Sequence, residues 1–323
     1  MSVLCLVEHD ESGVTDATLR ALSFARRLAE SSDETLSALS VGSPNDLALR
    51  SLAEYGVSEL HPVVLSALET YAPVAWATSL LELATSSRST AIVAAGTDRC
   101  NEVMAYAGAL SGLAMVANCF EASRVDELTV RLSRQRWAGS LIEEARLEAA
   151  PALLTVAFDG VSAQPASEPT ALSVHPFAPT LSDSDLLVAV SQFLPRDAGV
   201  SLADARVVVG GGRGVGSAEG FAALEELAEL LGGTVGVSRA VTSLGWRSHS
   251  QQVGQTGTRI SPDLYLVSGI SGATQHLAGC QSAKHVVAIN TDPDAPIMMR
   301  ADYAVIGDLN EIIPALVAAI RAR

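Results

Sequence analysis

Between Ala205 and Asp308 the chain passes through five short apolar runs, ARVVVG, GTVGV, DLYLVSG, HVVAIN and YAVIG, each ending on or beside glycine or a small polar residue. Runs this short and rich in β-branched residues, separated by stretches long enough for a helix, describe a parallel sheet covered by helices. Parallel strands all point one way, so every closing residue arrives at the same edge of the sheet. That edge is where open α/β sheets take their ligands. The runs deliver Ser238 with Arg239, Ser271, Asn290 and Asp308 to it.

The earlier part of the chain alternates in the same manner. Val3–Glu8 reads as a strand, Asp16–Glu30 as an amphipathic helix with an acidic start, and LSALSVG as the next strand. A helix is expected over Asp46–Tyr55, a buried strand over Ala91–Gly96 and a further helix over Met104–Val116. LTVRLSRQRWAG and PALLTVAFDG alternate like strands of an antiparallel or mixed region. After Asp159, four prolines among serines and alanines mark a linker or a long surface-running connection. The expectation is two domains in 323 residues. Residues 1–195 form an N-terminal α/β domain with its Pro/Ser-rich connection, and residues 196–323 a C-terminal doubly wound parallel-sheet domain.

Composition narrows the function classes. A formal net charge of −15 argues against non-specific binding to nucleic acid or to an anionic membrane surface. Cys5, Cys100, Cys119 and Cys280 are scattered without a C-x-x-C pair, which disfavours a zinc site or a disulfide framework. The opening MSVLCLVEHDESG lacks a basic region and a long apolar run, and no long uncharged apolar stretch follows, so a cytoplasmic protein without membrane insertion is expected.

The run Gly210 to Gly216, GGGRGVG, follows a strand and precedes the helix AEGFAALEELAELLGG, which Ser217 can cap. Backbone N–H groups and a helix start converging there would make an anion site. The glycines could equally serve only a tight turn and close packing; Arg213 in mid-loop favours the ligand reading. The G-x-G-x-x-G spacing is absent, no P-loop lysine follows, and GTVGV ends in Ser238-Arg239 instead of a ribose-binding carboxylate. A nicotinamide site is disfavoured.

GQTG precedes DLYLVSG and SGATQH follows it, with Ser271 expected to cap a helix beginning around Ala273. Singly these are weak signals, since a strand-end Asn or Asp usually serves a turn and a lone histidine such as His276 is usually structural. Their coincidence on one edge points to a large phosphate-bearing ligand, a dinucleotide.

VVVGGGRGVGS, GVSRAV, QVGQTG, GISGATQHLAG, AINTDPDAPI and ADYAVIGDL together resemble the α subunit of electron transfer flavoproteins, in family order from about Arg206 to the C-terminus. VLCLVEHD and AEYGVSEL resemble its first domain more loosely. The resemblance implies one FAD, a heterodimer with a β subunit, flavin dehydrogenases such as acyl-CoA dehydrogenases of fatty acid oxidation as donors, and a quinone oxidoreductase as acceptor. It implies a carrier working through an anionic semiquinone, with no catalytic residues of its own. The β subunit carries AMP in typical members and a second FAD in bifurcating ones.

By motif match the FAD contacts would be Arg213, Ser238 and Arg239. They would continue with Val253, Gly254, Gln255 and Thr256, then Ser271, Gly272, Ala273, Thr274, Gln275 and His276, and end with Asn290, Asp308 and Leu309. Arg239, Thr256 and His276 would lie near the isoalloxazine, Asn290 and Asp308 on the ADP side. Ser243 stands where the family has Asp, and Thr274 where an aliphatic residue is common. The alternative is a nucleotide-binding regulatory or structural module of the same fold without redox use.

Overall fold

The computed structural model describes residues 1–137, 139–157, 160–191, 201–202 and 205–322. The chain divides into two compact units, Met1–Leu194 and Pro195–Arg323. The boundary expected near Pro195 itself lies outside the described residues.

In the first unit β1 (Ser2–Val7) leads through a small antiparallel ribbon, β2 (His9–Asp10) and β3 (Gly13–Val14), into α1 (Asp16–Glu30). There follow β4 (Thr35–Val41), α2 (Asp46–Glu54), β5 (Glu59–Val63), α3 (Pro73–Ser86), β6 (Ser89–Ala95) and α4 (Asp98–Ser111). Then come β7 (Met115–Arg124), β8 (Thr129–Arg136), β9 (Leu141–Glu148), β10 (Ala152–Val156) and β11 (Ser173–Val174). Among the described residues these form a nine-stranded sheet in the order β11-β5-β4-β1-β6-β10-β7-β8-β9. Pairing is parallel as far as β7 and antiparallel through β8 and β9. All six residues of β1 and all five of β10 are buried, as strands covered on both faces must be.

Two local expectations change here. The helix expected over Met104–Val116 starts earlier, because the Thr97 side chain accepts from the Cys100 amide and so caps α4. It ends at Gly112 in the left-handed conformation, which frees Met115 and Val116 to begin β7. The proline-rich stretch is a surface-running connection tied to the sheet through β11, which pairs with β5. The four cysteines are buried and unbridged.

The second unit contains β12 (Val207–Gly211), α5 (Ala222–Leu230), β13 (Thr234–Val237), α6 (Arg239–Ser243), β14 (Leu264–Ser268) and α7 (Thr274–Cys280). It closes with β15 (His285–Asn290), α8 (Pro296–Arg300), β16 (Tyr303–Ile306) and α9 (Leu309–Arg321). The five-stranded sheet is wholly parallel, in the order β13-β12-β14-β15-β16. On one face it packs Leu224, Leu227, Ile313 and Val317 from α5 and α9. A separate cluster gathers Val253, Tyr265, Cys280, Ile297 and Met298, drawing in α7 and α8. This is the doubly wound architecture. Strand order reverses between β12 and β14, since β13 follows β12 on one side of the sheet and β15 follows β14 on the other. No helix of the described residues is long and apolar enough to cross a membrane.

Candidate functional site

The carboxyl edge of the second sheet opens into a cleft of about 530 Å³, within the ~300–1,000 Å³ typical of small-molecule and cofactor sites. Arg213 and Gly214 enter it from the turn after β12, and Ser238 and Arg239 from the end of β13. Val253, Gly254, Gln255 and Thr256 form one wall, and Ser271, Ala273, Gln275 and His276 another. Asn290 and Asp292 follow β15. The cleft therefore spans the reversal point of the strand order.

Four expected residues stand outside this lining. Gly272 is buried against the backbone of Ile297. Thr274 is exposed at the first position of α7. Asp308 caps α9, its carboxylate accepting from the Asn310 amide at 2.8 Å, and Leu309 is core. Asn290 is partly committed as well: its side-chain amide donates to the Ile270 carbonyl at 2.9 Å and its Oδ1 accepts from the Asp292 amide at 3.1 Å. It thereby ties the β14 and β15 loops together behind the cleft.

Four amides of the glycine-rich turn are committed within the chain. Gly212, Gly214, Val215 and Gly216 all donate their amides to backbone carbonyls, those of Ser268, Gly269, Gly212 and Arg213. A Cβ on Gly212 would sit 2.0 Å from the Gly269 carbonyl oxygen. These residues therefore press the β12 and β14 loops together, which is the packing reading of the motif. Ser217 accepts from the Gly220 amide at 3.2 Å and caps a short 3₁₀ turn ahead of α5.

Further donors sit on the neighbouring loop. Ser271 does not cap α7; the cap position is Ala273, without a side-chain bond. The His276 amide closes onto the Ala273 carbonyl at 2.8 Å, whereas the Ala273 and Gln275 amides have no backbone acceptor among the described residues. The first amides of a helix lack intrahelical partners and suit an anion. Arg213 and Arg239 are exposed on the wall and form no ion pair among the described residues. Against these two guanidiniums the lining sets one carboxylate, Asp292.

Thr256 and His276 are each held from behind. Gln252, only 2% exposed, donates from Nε2 to Thr256 Oγ1 at 3.1 Å. Its Oε1 accepts from the Thr242 hydroxyl at 2.7 Å, a hydroxyl that also reaches the Arg239 carbonyl at 3.0 Å. With Oγ1 already accepting, the Thr256 hydroxyl proton is left for a ligand. His276 is 6% exposed and its Nε2 lies 2.8 Å from the Tyr265 hydroxyl. Burial lowers its pKa to about 4, over a weaker upward pull from the Val253 backbone. His276 is thus neutral near pH 7, and its Nδ1 is buried with no hydrogen-bond partner among the described residues.

Gln252 and Tyr265 hold cleft residues from behind, and the strand-end pattern did not reveal them. Gln252 carried a usable signal, since it precedes VGQTG directly. Tyr265 lies inside an apolar run and carried none.

A phosphate- and flavin-bearing ligand fits this donor set. The orphaned His276 Nδ1 is a buried group that needs a partner, and the exposed amides at Ala273 and Gln275 and the two unpaired cations are free to take one. Among the described residues no group of three His, Cys, Asp or Glu side chains is arranged to hold a metal ion.

Comparison with known proteins matches residues 3–178 to the electron transfer flavoprotein domain and residues 201–281 to the electron transfer flavoprotein FAD-binding domain. The chain is 34% identical over 322 residues to electron transfer flavoprotein subunit alpha of Mycobacterium leprae, covering 99% of this chain and 98% of that one. Identity to the probable mitochondrial electron transfer flavoprotein subunit alpha of Caenorhabditis elegans is 34% over 320 residues, covering 99% and 93%. Protein FixB of Clostridium saccharobutylicum is 33% identical over 319 residues, covering 98% and 95%.

Proposed function

Because the chain belongs to the electron transfer flavoprotein alpha-subunit family, we propose that its second unit binds one FAD in the carboxyl-edge cleft. Joined to a β subunit, the chain then carries electrons from flavin dehydrogenases, such as acyl-CoA dehydrogenases, to a quinone oxidoreductase. The observation that carries this reading is the cleft itself, where two uncommitted guanidiniums, two unclosed amides and a neutral buried histidine meet at the strand-order reversal.

When bound, FAD supplies an isoalloxazine ring that takes up and releases electrons and gains negative charge over its N1–C2=O region on reduction. Arg239 supplies a positive charge that favours the reduced ring over the oxidised one. Thr256 offers its hydroxyl proton, kept available by Gln252. His276 adds a neutral donor or acceptor without the cost of a buried charge. Arg213 and the amides of Ala273 and Gln275 suit the diphosphate. The residues bind, orient and tune; the cleft holds no nucleophile–base pair among the described residues.

The test is to co-express the chain with a β-type subunit, purify the complex and record its visible spectrum. The reading predicts a yellow complex whose flavin band bleaches when a reduced flavin dehydrogenase is added and returns on addition of a quinone acceptor. A colourless complex that cannot be reconstituted with FAD would exclude it.

A further inference from the structure

Tyr265 is fully buried on β14, and its hydroxyl makes one hydrogen bond among the described residues, to His276 Nε2 at 2.8 Å. The two rings lie 6.2 Å apart between centroids with an interplanar angle of 28°, near-parallel on either side of that hydrogen bond. Room for the hydroxyl comes from the glycine-rich segment, because a Cβ on Gly210 would stand 2.7 Å from the Tyr265 oxygen. A neutral imidazole carries one proton, on Nδ1 or on Nε2, and the partner of one nitrogen decides where it sits. If Nε2–H donated to Tyr265, the phenol proton would be left in the core without an acceptor, at the cost of an unsatisfied buried donor. If the phenol donates to Nε2, the phenol is satisfied and the proton stands on Nδ1, which has no partner among the described residues but belongs to a ring that lines the cleft, where a ligand can accept it.

We propose that Tyr265 is a positioning residue: its hydroxyl donates to Nε2 of His276 and thereby holds the imidazole with its proton on Nδ1, as a hydrogen-bond donor to the flavin. This rests on the FAD reading of the cleft for the identity of the acceptor, but the tautomer itself is a property of the chain. Burial drives the phenol pKa well above its ordinary value, so Tyr265 keeps a proton to donate. A donor fixed in this way favours negative charge on the reduced ring without placing a cation in the core.

The test uses the full chain in complex with its β subunit, labelled with 15N-histidine and observed by NMR with and without FAD. In the wild type the proposal predicts a protonated Nδ1 and a bare, hydrogen-bond-accepting Nε2 for His276. A protonated Nε2 with a bare Nδ1 overturns it, whatever the flavin content. Tyr265→Phe removes the phenol and is expected to abolish the Nδ1–H signature, shifting the ring to Nε2–H or to a mixture. Persistence of Nδ1–H in that variant also overturns the proposal. Should Tyr265→Phe fail to fold, the wild-type tautomer still decides. The visible spectrum of the same samples reports FAD separately, so absence of flavin beside an Nδ1–H tautomer would count against the FAD reading and not against the role of Tyr265.

Discussion

Arg213 and Arg239 project from the cleft wall as exposed side chains with no carboxylate in ion-pair reach among the described residues. In a chain of net charge −15, two unpaired cations facing one cleft mark where an anion belongs. A hydrogen bond to a charged group contributes about 1.5–3 kcal/mol, so either Arg→Ala change should weaken FAD binding by roughly 10- to 100-fold. Titration of FAD into the stripped complex measures this, and equal affinities would remove both residues from the site. His276 yields a second prediction. Its folded pKa of about 4 lies below the ordinary 6.5 because the charged form would be buried. The unfolded chain therefore takes up a proton as pH falls through about 6.5, while the folded chain waits until about 4. The contribution is complete above the unfolded value and lost as pH falls toward the folded one, by on the order of 3 kcal/mol in all. His276→Gln should remove that part of the pH dependence, read as the difference between wild-type and variant urea midpoints across the acid range. Parallel curves would contradict it.

At the level of elements, the glycine-rich turn shows what sequence spacing can and cannot convey. Its position after a strand was legible and correct. Which carbonyls its amides would meet was not, because that depends on how closely the β14 loop approaches, and Gly212 amide to Ser268 carbonyl at 2.9 Å is a tertiary contact. Gly212→Ala should therefore act chiefly on folding: overpacking costs about 1–3 kcal/mol, and a Cβ 2.0 Å from a carbonyl oxygen belongs at the severe end. Denaturation of the FAD-free protein tests this, and unchanged stability would refute the packing role. The strand ends read well from sequence because polar residues interrupt apolar runs at Ser238, Ser271 and Asn290. Apolar periodicity alone places α4 too late in the chain, whereas Thr97 and Gly112 mark its two ends. Gln252 adjoins the VGQTG motif and so has a sequence signal, whereas Tyr265 meets His276 through one hydrogen bond from inside an apolar run, which no pattern of residue types encodes.

Across the whole molecule, the chain forms two compact units. The first unit's sheet is mixed and ends in the antiparallel strands β7, β8 and β9; the second unit's parallel sheet carries the cleft at its strand-order reversal. A ligand bound only by the folded state stabilises it by about 2.7 kcal/mol at a hundredfold excess over Kd. FAD should therefore slow hydrogen exchange most in the segments after β12, β13, β14 and β15, with smaller change in β1 and β4. Protection centred on the first unit would mean the ligand sits elsewhere. Whether FAD lies in the carboxyl-edge cleft is read most directly by photolabelling the FAD-free complex with a photoreactive azido-FAD and mapping the modified peptides. Label is expected on peptides carrying Arg239, Thr256 or the Ser271 to His276 loop, displaced by excess FAD. Displaceable label found only on first-unit peptides, or only on the β subunit, would contradict it.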